Sequence, residues 1–172
     1  MLILILISFN NLNGGNILNL NIVLYQPEIP QNTGNIGRTC VLTNSKLHLI
    51  KPLGFSISDK YVKRAGMDYW KNVDYVCYES FEEFYEINKD KKIYIATTKG
   101  KKFYTDVEYK KGDFILFGRE SSGVTDYMRE LLKETLIKVP MISTTDRSLN
   151  LANTVAIVAY EALRQMSFPG MK

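Results

Sequence analysis

Histidine is almost absent from this chain: His48 is the only one in 172 residues. It lies inside the apolar run Leu47 to Ile50, so it is expected to be a sheet residue with a hydrogen-bonded ring. Imidazole metal clusters and Ser-His-Asp or Cys-His catalysis have almost no material to work with. Cysteine is nearly as scarce. Cys40 and Cys77 stand far apart with no CxxC, which argues against a disulfide framework or zinc ribbon and suits two reduced thiols in a cytoplasmic protein. Long hydrophobic runs are missing too. Met1 to Ile7 is far shorter than the roughly 20 residues that span a bilayer, and it lacks the basic start and cleavage site of a signal peptide. Nor is there a strong excess of charge. The 22 Lys and Arg against 18 Asp and Glu leave +4, which mildly favours an anionic partner and suits a solvated surface equally well.

What is present is the material of one ordinary domain. With 45% apolar residues, a chain of this length buries roughly 70% of the surface its unfolded form exposes. Residues 1–20, rich in Asn, Leu and Gly after the first apolar run, are expected to be a disordered extension, or translation from a start codon placed too early; the domain is expected over 21–172. From Asn21 onward, β-branched and aromatic runs alternate with helix-patterned segments. Strands are predicted at Ile22 to Tyr25, Leu47 to Ile50, Tyr75 to Tyr78, Ile93 to Thr97, Phe114 to Phe117 and Leu136 to Val139. Helices are predicted at Gly34 to Leu42, at Glu82 to Asn88 behind the capping box Ser80-Phe-Glu-Glu83, at Asp126 to Leu132 and at Leu149 to Met166. The last helix is apolar nearly all round, so sheet or another subunit should cover much of it.

Such alternation implies an α/β fold with a mostly parallel sheet, whose ligands sit beyond the carboxyl ends of the strands. Three loops follow late strands: Thr98-Lys99-Gly100-Lys101-Lys102, Gly118-Arg119-Glu120-Ser121-Ser122-Gly123, and the stretch from Pro140 to Asn150. The Gly118 to Gly123 span has P-loop spacing, but Val124-Thr125 replaces the Lys-Ser/Thr that would reach phosphate and magnesium. No G-x-G-x-x-G follows the first strand, where Gln26-Pro-Glu-Ile-Pro30 stands instead. A nucleoside-like ligand would have to be bound in another way. Near the start, Asn32, Asn35 and Arg38 fall three residues apart along one side of a helix. Their donors suit phosphate or ribose oxygens; a capped first turn with an exposed Arg is the structural alternative.

Five segments then resemble a known family: Asn21-Ile-Val-Leu-Tyr-Gln-Pro-Glu-Ile-Pro-Gln-Asn-Thr-Gly-Asn-Ile-Gly-Arg38, Ala65-Gly-Met-Asp-Tyr69, Thr97-Thr-Lys-Gly100, Phe117-Gly-Arg-Glu-Ser-Ser-Gly123, and Val139-Pro-Met141 with Arg147-Ser-Leu-Asn-Leu-Ala-Asn153. In order, and over essentially Asn21 to Gly170, they are similar to the SPOUT class of RNA methyltransferases, and within it to the small tRNA wobble-nucleotide ribose 2'-O-methyltransferases. The resemblance implies a C-terminal trefoil knot, a rare exception to the rule against threaded chains, with S-adenosyl-L-methionine bound in it. It maps the cofactor pocket onto Ala96, Gly118, Val139 and Ser148, with Thr97 and Leu149 adjacent. It implies a homodimer, tRNA as partner, and no metal.

For catalysis the same resemblance points to Arg38, orienting the ribose hydroxyl, and to Ser148 and Asn150, fixing the loop around the methyl donor. RNA contacts fall to Asn32, Asn35, Arg38, Lys99, Arg147 and Tyr160, with Lys101 and Lys102 beside them. Departures are few. Val124-Thr125 stands where the family usually has Leu-Pro, so a less rigid turn is expected, and Gly37 inside the first helix should cost about 1 kcal/mol relative to Ala. The rival readings are a ribose methylase of this class acting on another tRNA position or on rRNA, a non-catalytic RNA-binding module of the same fold, and a flavodoxin-like regulatory domain, which would have no need of Arg147-Ser-Leu-Asn150.

Overall fold

Side chains along the central strands alternate between two faces, and that alternation organises the structure, a computed structural model that describes residues 18–57, 70–142, 144 and 147–172. Residues 1–17 and the Ala65-Gly-Met-Asp-Tyr69 segment lie outside the described residues. The elements are β1 (Asn21–Tyr25), α1 (Pro30–Leu42), β2 (Lys46–Ile50), β3 (Tyr75–Tyr78), α2 (Phe81–Asn88), β4 (Ile93–Ala96), β5 (Lys102–Phe103), β6 (Phe114–Phe117), α3 (Asp126–Leu131), β7 (Leu136–Lys138) and α4 (Leu151–Gln165). The strands form one sheet in the order β3-β2-β1-β6-β4-β7-β5, and each pairing is parallel.

On one face Ile22 and Leu24 of β1, Leu47 and Leu49 of β2, and Ile115 and Phe117 of β6 pack with Ile36 and Cys40 of α1 and with Val155, Val158 and Leu163 of α4. On the other, Val23 and Tyr25 of β1 and Phe114 and Leu116 of β6 pack with Phe81 and Phe84 of α2 and Met128 of α3. Parallel strands buried on both faces explain why the strand runs are nearly continuously apolar. Gly37 has a packing reason: a Cβ there would lie 3.0 Å from the Trp70 ring and 3.3 Å from Val73, so its helix-propensity cost is exchanged for close approach of the short 3-10 helix Trp70–Asn72.

Several expectations shift by a few residues. Asn19 and Leu20, assigned to the extension, belong to the packed body: Leu20 is fully buried, and the Asn19 amide donates to the carbonyls of Thr43 and Pro169 at 2.8 and 3.1 Å. Helix α1 begins at Pro30 rather than Gly34, because proline is pre-set for a first helical turn. The two-residue edge strand β5 is too short to leave a periodic signal in sequence. Val124 is buried, and Thr125 caps α3, its hydroxyl accepting from the Met128 N–H at 3.2 Å. Helix α4 buries one side, leaving Ile157 and Tyr160 exposed on the other. Among the described residues no helix is long and apolar enough to cross a membrane.

His48 is the sheet residue expected. Its ring is buried and both nitrogens are matched, Nδ1 with the Tyr78 hydroxyl at 2.9 Å and Nε2 with Asn21 Oδ1 at 3.0 Å. The Asn21 amide nitrogen donates to the Gly112 carbonyl at 2.7 Å, so its oxygen faces the ring. Nε2 therefore carries the proton, and Nδ1 accepts from Tyr78. Burial, aided by the Lys46 charge, pushes the imidazole pKa down from 6.5 to about 3.

Candidate functional site

The register of the sheet fixes where the chemistry collects. Leu24 pairs with Phe117, Phe117 with Ala96, and Ala96 with Ile137, so β1, β6, β4 and β7 end side by side and release their loops at one edge. There a cavity of about 830 Å³ opens. Ala96, Thr97, Gly118, Val139, Ser148 and Leu149, the six expected cofactor contacts, all line it.

Close backbone approach builds its floor. A Cβ on Gly118 would sit 2.3 Å from the backbone carbon of Gly123, because Arg119 and Gly123 exchange backbone hydrogen bonds at 3.1 and 3.0 Å across the loop. Gly123 itself has φ +68, a conformation that glycine adopts at little cost. A Cβ on Gly100 would lie 2.6 Å from the carbonyl carbon of Ile137, which holds the loop after β4 against β7.

One carboxylate ties this edge together. Glu120, in the loop after β6, accepts from the backbone N–H groups of Glu28 and Ile29 at 2.9 and 3.2 Å and from the Asn32 amide at 3.0 Å. It thereby supplies a negative cap to α1, whose own N-cap, Ile29, has no side-chain oxygen. The Asn32 oxygen in turn accepts from the Asn150 amide at 2.9 Å, and the Asn150 oxygen caps α4 through the N–H of Ala152 and of Asn153 at 2.8 and 3.4 Å. Beside this chain Glu28 accepts from the hydroxyl and backbone N–H of Ser121 at 2.8 and 2.9 Å. Those two bonds, with the Arg119 charge, hold the Glu28 carboxyl below its ordinary range.

The expected polar stripe on α1 is therefore corrected at its first member. Asn32 is buried and both ends of its amide are engaged with Glu120 and Asn150, whereas Asn35 and Arg38 are exposed. Asn32, Lys99 and Asn150 line the cavity of their own chain, while Asn35, Arg38, Arg147 and Tyr160 do not. Glu28, Arg119, Glu120 and Ser121 were not singled out from sequence. The available signal was an acidic residue three positions beyond each of two strands, and only the adjacency of β1 and β6 turns it into a contact.

The lining has the chemistry of a nucleoside site. Apolar Ala96, Phe117, Val139 and Leu149 share the lining with Thr97, Ser148 and the glycine loop. Among the described residues no group of three or more His, Cys, Asp or Glu is placed to hold a metal ion.

Comparison with known proteins agrees with this architecture. A tRNA (cytidine(34)-2'-O)-methyltransferase of Aeromonas hydrophila is 45% identical over 152 residues, covering 88% of this chain and 97% of that protein. A solved structure described as concerning 2-OH methylation of C/U34 on tRNA is 43% identical, with a TM-score of 0.77 over 86% of this chain and 96% of that one. An AdoMet-bound rRNA methyltransferase from Sinorhizobium meliloti superimposes with a TM-score of 0.74 at 25% identity, covering 86% of this chain and 57% of that one. Residues 19–160 match the SpoU rRNA Methylase family, and the chain belongs to that family.

Proposed function

We propose that this protein transfers the methyl group of S-adenosylmethionine to the ribose 2'-hydroxyl of the wobble nucleotide of tRNA. The observation that carries the reading is convergence: residues from four separate segments, at positions 96–97, 118, 139 and 148–149, line one cavity at the carboxyl edge of a parallel sheet, in a chain that is 45% identical to a wobble-cytidine ribose methyltransferase. Bound there, S-adenosylmethionine would supply a methyl group already activated on a sulfonium.

The protein's own residues then have positional work. Ala96, Gly118 and Val139 would wall the cofactor, Thr97, Ser148 and Leu149 would border it, and Asn150 would hold the start of α4 against Asn32. Arg38 would polarise or orient the ribose hydroxyl. Because Arg38 lies on α1 outside its own chain's cavity, it would act beside the cavity of a second copy, in a homodimer formed through the uncovered side of α4 around Ile157 and Tyr160. An Arg is a poor base at neutral pH, so the hydroxyl proton would leave to water or phosphate. Asn35, Arg38, Lys99, Arg147 and Tyr160 would meet the RNA, with Asn32 supporting them from inside. The segment from β7 to α4 would thread the trefoil knot, and the protein would act in the cytoplasm.

The test is nucleoside mapping of tRNA after incubation with protein and S-adenosylmethionine. A 2'-O-methyl group at the wobble position is expected. Methylation of a base would overturn the ribose assignment. Methylation elsewhere in tRNA, or only of rRNA as the family's description names, would replace the substrate.

A further inference from the structure

The charges around the cavity are unequally committed. Glu120 is engaged by three donors, Asp126 pairs with Arg129, and Arg129 also donates to the Val124 carbonyl. Arg119 differs. It lines the cavity, its guanidinium lies over the Tyr25 ring at 5.5 Å from the centroid, and its backbone is pinned to Gly123 in both directions. Its Nε is buried without an acceptor, and among the described residues its side chain has no carboxylate partner within salt-bridge distance. The nearby Glu28 carboxylate is already taken by Ser121.

A guanidinium set over an aromatic ring, with Nε lacking an acceptor and no carboxylate paired to it, at the wall of a nucleoside-sized cavity is suited to a planar or tetrahedral oxyanion. It follows β6, which lies between β1 and β4 in the sheet. Resting on the function proposed above, we propose that Arg119 is an oxyanion-binding residue of this site. It reads either the methionyl carboxylate of the cofactor or a phosphate next to the target ribose. Both offer the same chemistry, and they can be told apart.

The experiment compares wild type with Arg119→Gln and Arg119→Lys, at matched melting temperature. It measures dissociation constants for S-adenosylhomocysteine and for 5'-methylthioadenosine, which lacks the amino-acid tail, and KM and kcat with tRNA. Loss of a charge-assisted hydrogen bond should weaken the affected ligand about tenfold or more. If the carboxylate is read, Arg119→Gln weakens S-adenosylhomocysteine and leaves methylthioadenosine unchanged. If a phosphate is read, both cofactor constants hold while KM for tRNA rises and its salt dependence flattens. Arg119→Lys, which keeps the charge without the planar fork, should recover part of either loss. Unaltered constants for Arg119→Gln on every ligand would overturn the assignment alone. A wild-type protein that binds neither nucleoside and methylates no tRNA would instead remove the methyltransferase reading, and this proposal with it.

Discussion

Two polar clusters sit on the same sheet and differ in one respect. Around His48 every ring nitrogen is matched, at 2.9 and 3.0 Å, inside a shell of Tyr78, Phe84 and Phe114 rings. At the carboxyl edge the chain from Glu120 through Asn32 to Asn150 is equally well matched, yet it frames a cavity in which Arg119 Nε has no acceptor. The first cluster is closed and secures the fold. The second is closed along its rim, but the Arg119 side chain beside it lines a ligand-sized space and keeps a buried Nε without an acceptor. The lone histidine, usually the first catalytic suspect, is thus a core residue, and the cavity is lined by residue types that composition does not flag.

The open cluster should break most severely at Gly118. A Cβ there meets the backbone of Gly123 at 2.3 and 2.6 Å and Val124 N at 2.6 Å, atoms that no rotamer change can move. Gly118→Ala is expected to cost about 3 kcal/mol or more and to abolish cofactor binding, as read by chemical denaturation and by S-adenosylhomocysteine titration. Retained stability and affinity would mean that the loop opens freely.

The closed cluster should break with a smaller and purely structural effect. His48→Leu leaves Asn21 Oδ1 buried without its ring donor and takes from the Tyr78 hydroxyl its acceptor, at about 2–3 kcal/mol near neutral pH, without changing the cofactor dissociation constant. Acid sharpens this. With a folded pKa of about 3 against 6.5 in the unfolded chain, the unfolded state binds a proton that the folded state refuses between those values. The contribution of the neutral ring is whole above pH 6.5 and falls by about 1.4 kcal/mol per pH unit below it. The denaturation midpoints of wild type and His48→Leu should therefore converge as pH falls from 6.5 towards 4. Parallel curves would show a ring that titrates normally.

A milder break of the open cluster comes at Asn32, its middle link. Asn32→Ala unlinks Glu120 from Asn150 but leaves Glu120 its two backbone donors, so about 1–2 kcal/mol of stability and about a tenfold loss in kcat are expected, as the start of α4 loses its tether. A variant with wild-type turnover would show that the link is dispensable for positioning.

How much of this was legible follows from range. The strands other than β5, α2, the cap at Ser80, which accepts from the Glu83 N–H at 3.2 Å, and the burial of His48 depend on neighbours a few residues away, and local pattern exposes them. The six cavity positions came from ordered motifs, which carry the geometry of a fold without stating it. What stayed hidden is long-range. Glu120 meets Glu28 and Ile29 from about ninety residues away, and nothing local says that β6 lies beside β1. Asn32 looked like one of three equivalent stripe residues because helical spacing sets a shared side but not which member turns inward.

The smallest expected effect falls at Thr125, where the resemblance leads one to expect a proline. Thr125 caps α3 through the Met128 N–H. Thr125→Ala removes that cap and should cost about 1 kcal/mol. Thr125→Pro removes it as well, but φ at this residue is already −69, close to the value that proline imposes. Among the described residues the Thr125 N–H makes no hydrogen bond, so none is lost there. Restricting the unfolded chain returns about 0.4–1 kcal/mol, and the proline variant should match wild type to within about 0.5 kcal/mol. Equal destabilisation by alanine and proline would mean that the backbone after Gly123 does not tolerate proline's neighbours. A stability order of wild type, then proline, then alanine would show that side-chain capping and backbone restriction are interchangeable ways of stiffening this wall of the cavity.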